Sequence, residues 1–285
     1  MQSATSLRSR ASRLPLSRRE TSLVAALVLL TAAVFLAPAL ELPMAGAAAF
    51  ADTRSLGALP NALDVLSNLP FALMGLLGLR ALGRLESTHE ASWPRAAESL
   101  PLNTLDCAWL FFAGLLVTTA GSVFFHLHPD VLRLAADRAG MTIAFAGMIG
   151  LAVSDQVSPR AAWPSAWFVL ASGLLSVAIY HETGNVMPWA VVQFGGMALL
   201  VALALSGPRR NGPPVLGVRL GTVVALYALA KLFELADAQL FEVSGGWLGG
   251  HAVKHVLAAL AALPVLLAVR RLAHQGAAPQ SARLH

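Results

Sequence analysis

Charged residues are scarce in this chain. Only 12% of its 285 residues are Asp, Glu, Lys or Arg, whereas 56% are hydrophobic, and the mean hydropathy is +0.66. A soluble domain of this length would carry about twice that share of charge. The low charge therefore excludes an ordinary soluble domain and indicates a protein whose surface faces lipid.

Cysteine is almost missing as well, because Cys107 is the only one in the chain. A single cysteine excludes an intrachain disulfide and leaves the redox compartment open. The net charge of +5 does not indicate a nucleic-acid partner, since most basic residues lie in short segments between apolar runs. Positive charge in such segments orients transmembrane helices.

Long apolar runs are abundant. Each is long enough to cross a bilayer as a helix, and only helices satisfy every backbone group within one lipid-exposed segment. The sequence thus predicts an all-α membrane protein with eight spans, in which one extra N-terminal transmembrane helix precedes a seven-transmembrane-helix core. The runs are 22–40, 62–83, 107–126, 131–153, 161–180, 187–206, 219–242 and 247–269.

The chain divides into four segments under this interpretation. A basic cytoplasmic tail (1–20) precedes the extra transmembrane helix (21–41), and the seven-helix core (61–271) precedes a second cytoplasmic tail (272–285). The first run could instead belong to a cleaved signal peptide, because a basic segment precedes it and AGAAA follows near residue 45. Its length of about 18 apolar residues favours a retained helix.

The placement of arginine predicts the orientation. With the N-terminus inside, the outer loops hold only Arg54 and Arg133, and the other loop and tail arginines all lie inside. This asymmetry follows the positive-inside rule and predicts that both termini face the cytoplasm.

Polar side chains within the runs fall at one depth of this topology, near the outer ends of the second to eighth runs. Such groups are costly in a bilayer and usually face the bundle interior or a wet cavity, so one shared depth predicts one cavity open to the outer side. Interfacial placement and interhelical hydrogen bonds explain several of the Asn and Ser residues, but they explain the histidines and acids poorly. The set is Asn61, Asp64, Ser67, Asn68, Ser122, His126, Asp137, Tyr180, His181, Glu182, Asn185, Gln193, Lys231, Glu234, Asp237, His251, Lys254 and His255.

Three of these histidines are candidate metal ligands. In GHAVKHVL, His251 and His255 are at i and i+4, so both imidazoles lie on one helix face and can reach one ion. This spacing alone is a weak indication, because two helical histidines can simply be hydrogen-bonded. His126 in GSVFFHLHPD supplies a third ligand. Three histidines with one open coordination position form a catalytic zinc site, and imidazole suits zinc.

Ser122 and Asp137 are the candidate catalytic residues. Ser122 lies one helical turn before His126, and Asp137 has a similar depth in the next helix. The Asp137 carboxylate could orient water or carry its proton, and the Ser122 hydroxyl could donate to a developing oxyanion. His128 is a competing ligand, although it faces another side of the helix from His126.

A second polar group lies on the seventh run. Lys231, Glu234 and Asp237 are at i, i+3 and i+6, which favours a charge pair that stabilises the bundle over a catalytic role. Lys254, between the two histidines of the last run, could extend outward to the membrane surface or pair with Glu234 or Asp237. His181 is interpreted as an interfacial histidine.

Taken together, these motifs resemble the alkaline ceramidase family, which belongs to a superfamily of seven-helix membrane hydrolases that also includes the progestin and adiponectin receptors. The resemblance implies zinc held by His126, His251 and His255, with Ser122 and Asp137 completing the site, and hydrolysis of the N-acyl amide of a sphingoid lipid. The family's acidic, calcium-binding N-terminal segment has no counterpart here, and the extra helix also departs from the family pattern. The matching segments are LSNLPFALMG (66–75), GSVFFHLHPD (121–130), DRAGMTIAF (137–145), LAKLFELAD (229–237) and GHAVKHVLAA (250–259).

The sequence therefore predicts a zinc-dependent intramembrane hydrolase that cleaves the amide bond of ceramide-like N-acyl lipids. Its partner is a membrane lipid substrate rather than nucleic acid, and its active site faces the outer, periplasmic or lumenal side. One alternative is a lipid-binding receptor or sensor of the same superfamily with a structural zinc. Another is a proton-coupled transporter, against which the lack of repeated halves with discontinuous helices counts. The oligomeric state stays open.

Overall fold

The computed structural model describes residues 15–41, 50–91, 102–207 and 215–277. These residues form α-helices, one π-helical turn and two isolated β-bridges, so the predicted all-α fold is confirmed. The elements are α1 (Arg18–Leu36), α2 (Ala62–Leu66), α3 (Leu69–Ala91), α4 (Leu102–Leu127), α5 (Val131–Gln156), α6 (Pro159–Thr183), α7 (Met187–Ala190), the π-turn (Val191–Gly195), α8 (Gly196–Leu205), α9 (Leu220–Leu235), α10 (Asp237–Val243), α11 (Gly250–Leu260) and α12 (Leu263–Ala277).

Seven helical segments within the described ranges are long and apolar enough to cross a membrane. Three of them combine successive elements: α2 with α3, α7 with the π-turn and α8, and α11 with α12. The protein is therefore an integral, multi-pass membrane protein. The segments are Arg18–Leu36, Ala62–Ser87, Asn103–Leu127, Val131–Gln156, Pro159–Thr183, Met187–Leu205 and Gly250–His274.

The predicted span at 219–242 is not one continuous helix. α9 has 16 residues, and a break at Ala236, with φ −97° and ψ 22°, separates it from α10. At 1.5 Å per residue, α9 alone extends about 24 Å, less than the ~30 Å hydrocarbon core. The segment nevertheless runs from the Asp155 end of the bundle, where Leu216 and Val218 are held, to the histidine end, where Asp237 contacts His251. The break also gives Asp237, the first residue of α10, surroundings different from those of Lys231 and Glu234 in α9.

The extra helix α1 begins in a capping box. The Ser17 hydroxyl accepts from the Glu20 amide and the Glu20 carboxylate accepts from the Ser17 amide, so the helix begins at Arg18, before the predicted start at residue 21. The same carboxylate accepts hydrogen bonds of 2.6 Å from the Arg160 guanidinium and the Ser158 hydroxyl. This end of α1 is thereby attached to the beginning of α6.

Glycines allow α4 and α5 to pack with their backbones almost in contact. A Cβ atom on Gly121 would lie 2.6 Å from a backbone carbonyl oxygen of α5, and one on Gly140 would lie 2.8 Å from the α4 backbone. Small residues permit this approach between membrane helices. It brings the last turns of α4, which carry Ser122, beside the first turns of α5, which carry Asp137.

The main hydrophobic core lies toward the opposite end of the bundle from these turns. It contains Leu82, Phe112 and Val153, all fully buried, and the buried face of α12. The carboxylate of Asp155 is buried beside this core and accepts hydrogen bonds of 2.8 and 2.9 Å from the backbone amides of Leu216 and Val218. Asp155 thus holds the segment that leads into α9.

Candidate metal centre

The three predicted histidines meet at one end of the bundle. His126 lies in the last turn of α4, and His251 and His255 lie one turn apart on α11. One nitrogen from each ring can be chosen so that all three lie within 4.8 Å of one another. His126 and His255 are 1% and 4% exposed, so the cluster is largely closed to solvent.

The spacing of one pair of imidazole nitrogens fits a zinc ion. The Nε2 atoms of His126 and His251 are 3.3 Å apart. Tetrahedral zinc with Zn–N bonds of about 2.0–2.1 Å requires neighbouring ligand nitrogens about 3.3–3.4 Å apart. Three imidazoles are also the donor set of a catalytic zinc site, so the geometry and the donor chemistry agree.

The backs of two histidine rings face residues of the first core helix. The Nδ1 atom of His255 lies 2.8 Å from the Ser67 hydroxyl. The Nδ1 atom of His126 lies 3.8 Å from an Asp64 carboxylate oxygen. Partners at the second ring nitrogen orient metal-binding histidines and tune their basicity, so Ser67 and Asp64 are positioned to do this.

Asp64 is a buried acid with an unusual environment. Its side chain is 1% exposed, yet neither carboxylate oxygen has a hydrogen-bond partner among the residues that the structure describes. Asn68 instead donates to the Asp64 backbone carbonyl at 2.7 Å, which holds the first turn of the helix. Buried polar atoms normally have partners, so Asp64 is placed for interaction with the histidine cluster rather than for holding the fold.

Ser122 and Asp137 lie near His255. Both line a polar cavity of about 50 Å³ together with His255 and Lys254. Ser122 is 2% exposed, and its neighbour Gly121 packs against the backbone of Ala136 and Asp137. The cavity therefore brings a hydroxyl, a carboxylate and a candidate metal ligand to one point.

A charged network forms another wall of this cavity. Glu234 accepts hydrogen bonds from Lys231 and, at 3.3 Å, from the Lys254 ammonium. The Lys254 Nζ atom also lies 3.1 Å from Nε2 of His251. The predicted pairing of Lys254 with Glu234 is therefore found, and it connects α9 to α11 next to the histidines.

Asp237 has a separate role from Lys231 and Glu234. Its two carboxylate oxygens accept from the backbone amides of Ala51, at 2.9 Å, and His251, at 2.8 Å. Asp237 thus attaches the segment that precedes the core to the first turn of α11. Its bond is to the His251 backbone rather than to the imidazole.

The segment 50–54 covers the histidine cluster. The Phe50 ring centroid lies 4.8 Å from that of His126 and 4.5 Å from that of His251. Arg54 forms a 2.7 Å ion pair with Asp52 and donates to the Trp247 carbonyl at 2.9 Å. The Arg54 guanidinium holds the pKa of the Asp52 carboxyl below its usual value.

An apolar cavity of about 120 Å³ adjoins the polar one. The two cavities share the side chains of Phe71, Thr118, Met141, Tyr227 and Ala258. The π-turn reaches the apolar cavity, where its Gln193 amide donates to the Tyr227 hydroxyl at 3.0 Å. The arrangement provides an apolar chamber that is continuous with the polar groups.

The other candidate histidines lie outside the cluster. The His128 side chain is 74% exposed and lies 3.7 Å from Asp130, so it does not compete for the site. The His181 side chain is 38% exposed and lies 3.8 Å from a Glu182 carboxylate oxygen. Sequence reasoning missed Phe50, which belongs to no motif, and it listed Ser67 as polar without connecting it to His255.

Comparison with known proteins assigns neither a family nor a function to the chain. No protein-family model matches the chain, and no curated protein matches it. The resemblance to the alkaline ceramidases therefore depends on the motifs alone, and function is argued from the geometry of the site.

Proposed function

We propose that this protein is a zinc-dependent intramembrane hydrolase that cleaves the amide bond of ceramide-like N-acyl lipids. The observation that carries the proposal is the convergence of His126, His251 and His255 beside Ser122 and Asp137. The order and spacing of these residues along the chain, which resemble those of the alkaline ceramidases, support it.

The three imidazoles are proposed as the zinc ligands. A zinc ion held there would act as a Lewis acid that polarises a carbonyl and makes water a stronger acid. Ser67 and Asp64 would orient the rings of His255 and His126 from behind.

Asp137 and Ser122 are assigned the proton transfer and the carbonyl contact. The Asp137 carboxylate accepts a proton from the attacking water and delivers it to the amide nitrogen as the C–N bond breaks. The Ser122 hydroxyl donates to the carbonyl oxygen as negative charge develops on it. Water adds to the acyl carbon, so the products are a free fatty acid and an amine.

The two cavities suit an amphiphilic substrate. An acyl chain would occupy the apolar chamber, and the amide would reach the polar groups next to His255. Phe50 and the 50–54 segment shield the cluster from water, which strengthens electrostatic interactions within the site.

The orientation is part of the same proposal. The positive-inside rule places both termini in the cytoplasm and the histidine cluster toward the outer side. Reporter fusions at the two termini, combined with the accessibility of cysteines introduced at outer-loop positions, would measure it. Termini on the outer side would contradict it.

The test of function uses purified full-length protein in detergent. Metal content by elemental analysis should show zinc, and a screen of long-chain N-acyl amides, including ceramides, should show hydrolysis that a chelator stops. His251→Ala and His255→Ala should abolish both zinc and hydrolysis, whereas His181→Ala should retain both. Undiminished hydrolysis in the two cluster variants would refute the zinc mechanism.

The same preparations distinguish the two alternative functions. Tight lipid binding without turnover would favour the receptor alternative, and substrate flux into liposomes without hydrolysis would favour the transporter.

A further inference from the structure

Lys254 is a cation in direct contact with a proposed metal ligand. It lies between the two histidines of α11, and its ammonium is 3.1 Å from Nε2 of His251 and 3.3 Å from a Glu234 oxygen. It also lines the cavity that contains Ser122 and Asp137. A substrate group that reaches the histidines is therefore within reach of this ammonium.

The hydrogen bond between Lys254 and His251 cannot coexist with metal binding at the same nitrogen. An unprotonated Nε2 atom of an imidazole has a single lone pair, which either accepts a hydrogen bond or coordinates a metal ion. His251 Nε2 faces both His126 Nε2 and the Lys254 ammonium. Metal binding would thus release an N–H group of Lys254 toward the cavity.

The carboxylate of Glu234 does not fully neutralise the positive charge of the released Lys254 ammonium. Its carboxylate is shared between Lys231 and Lys254, so two cations face one anion in this network. An ammonium has three donors, and a cation within a membrane protein is costly unless it is paired. Two groups could supply the missing negative charge beside Lys254. One is the Asp137 carboxylate, which lines the same cavity, and the other is an anionic group of the substrate.

We propose that Lys254 selects N-acyl lipids that carry a carboxylate next to the amide, such as N-acyl amino acids, over lipids with a neutral head group. This inference depends on the proposed amidase function, within which it makes ceramides, whose head group is neutral, slower substrates than N-acyl amino acids. The acyl chain occupies the apolar chamber, and the Lys254 ammonium donates to the carboxylate on the amine side of the bond that is cleaved.

The first experiment compares N-palmitoylglycine with N-palmitoylethanolamine, which have the same acyl chain and head groups of similar size. A charge-assisted hydrogen bond predicts that wild-type kcat/KM is about ten- to a hundredfold higher for the glycine conjugate. Equal values, or a preference for the ethanolamine conjugate, would overturn the proposal.

The second experiment assigns the preference to one lysine. Lys254→Met should bring the ratio of the two kcat/KM values close to one, and Lys254→Arg should restore a preference. Lys231→Met should lower the ratio only in part, because Lys254 then shares Glu234 with no other cation while its ammonium stays in the cavity. An unchanged ratio in Lys254→Met would mean that Asp137 rather than the substrate accepts the ammonium, and it would refute the proposal.

A binding experiment distinguishes the proposed role of Lys254 from the proposed hydrolase activity. Radiolabelled N-palmitoylglycine should bind the purified, zinc-loaded Asp137→Asn variant more tightly than N-palmitoylethanolamine does, and addition of Lys254→Met should remove the difference. If this binding preference is present but the wild type hydrolyses neither lipid, the hydrolase proposal fails and the role of Lys254 stands. If hydrolysis occurs without any preference in rate or binding, the role of Lys254 fails alone.

Discussion

Asp155 and Asp64 are both buried carboxylates, but they lie at opposite ends of the helix bundle and have different surroundings. Asp155 accepts hydrogen bonds from two backbone amides. Neither carboxylate oxygen of Asp64 has a hydrogen-bond partner within the described ranges, and one lies 3.8 Å from an imidazole nitrogen. A buried acid with hydrogen-bond partners stabilises the fold, whereas one without them beside candidate metal ligands indicates function.

The two ends also differ in how they are built. The end with Asp155 is mostly an apolar core, in which Glu20 and Asp155 attach neighbouring segments. The end with Asp64 collects polar groups from separate helices around His126 and His255, and the 50–54 segment covers them. We therefore expect substitutions at the first end to change stability and substitutions at the second to change metal binding and activity.

The largest effect is expected at the histidine cluster. His126→Ala should lower the affinity for zinc and the rate of lipid amide hydrolysis by more than about a hundredfold, because removing a ligand exceeds the 10–100-fold cost of removing its supporting partner. Elemental analysis and a hydrolysis assay measure this. His128→Ala is the control, because this exposed histidine lies two residues away. Equal zinc content in the two variants would refute the assignment of the ligand.

Substitutions at two tightly packed glycines should distinguish an effect on protein stability alone from an effect on both stability and activity. Gly121→Ala and Gly147→Ala both introduce a Cβ within 2.6 Å of backbone atoms of the neighbouring helix, and each should destabilise by about 1–3 kcal/mol. Only Gly121→Ala, next to Ser122, should also reduce activity. Thermal unfolding in detergent and hydrolysis assays measure the two effects.

Gly83→Ala is the matched control for these glycines, because a Cβ there meets no atom within 4 Å among the described residues. It should be neutral or slightly stabilising. An equal loss of activity in Gly121→Ala and Gly147→Ala would contradict the proposed division between the two ends.

The two buried acids give the most direct comparison. Asp155→Asn replaces one of two accepting oxygens by a donor facing an amide, so it should destabilise by about 1–2 kcal/mol and leave zinc affinity unchanged. Asp64→Asn should leave stability equal or higher, because neither carboxylate oxygen has a hydrogen-bond partner to lose among the described residues, and should weaken zinc binding. Chemical unfolding and zinc titration measure both, and the opposite pattern would reverse the roles assigned to the two acids.

The smallest effect is expected in the 50–54 segment. Because Arg54 lowers the pKa of Asp52 in the folded protein, this ion pair stabilises the segment above pH ~4, and the contribution is lost as the pH falls further through the folded pKa. Arg54→Leu should increase hydrogen exchange at the Ala51 amide at pH 7, and the difference from wild type should shrink below pH ~4. A difference that grows on acidification would exclude this ion pair as the cause.

Much of the architecture was predictable because it follows from local patterns. The length and hydropathy of the apolar runs predict membrane helices, and this prediction is confirmed. The i, i+4 spacing of His251 and His255 requires both rings on one helix face, and the Lys231–Glu234 pair at i, i+3 follows from the same geometry. The catalytic roles of Ser122 and Asp137 and the identity of the metal stay predictions.

Other parts of the site had no pattern from which to predict them. The break at Ala236 follows no Pro or Gly, and it separates Asp237 from Lys231 and directs its carboxylate to the amides of Ala51 and His251. Phe50 contacts two histidines from a segment without periodicity.

Helical periodicity describes neighbours within one helix. The sequence by itself therefore determined the membrane-spanning helices and the shared helix face of His251 and His255. The position of His126 opposite His251, of Ser67 behind His255 and of Lys254 beside Glu234 depends on how separate helices pack. Those contacts join residues 20 to 188 positions apart, and backbone approach at Gly121 and Gly140 decides the α4–α5 part of the packing. Only the folded bundle turns a set of polar residues at one depth into a histidine cluster that could hold a metal ion.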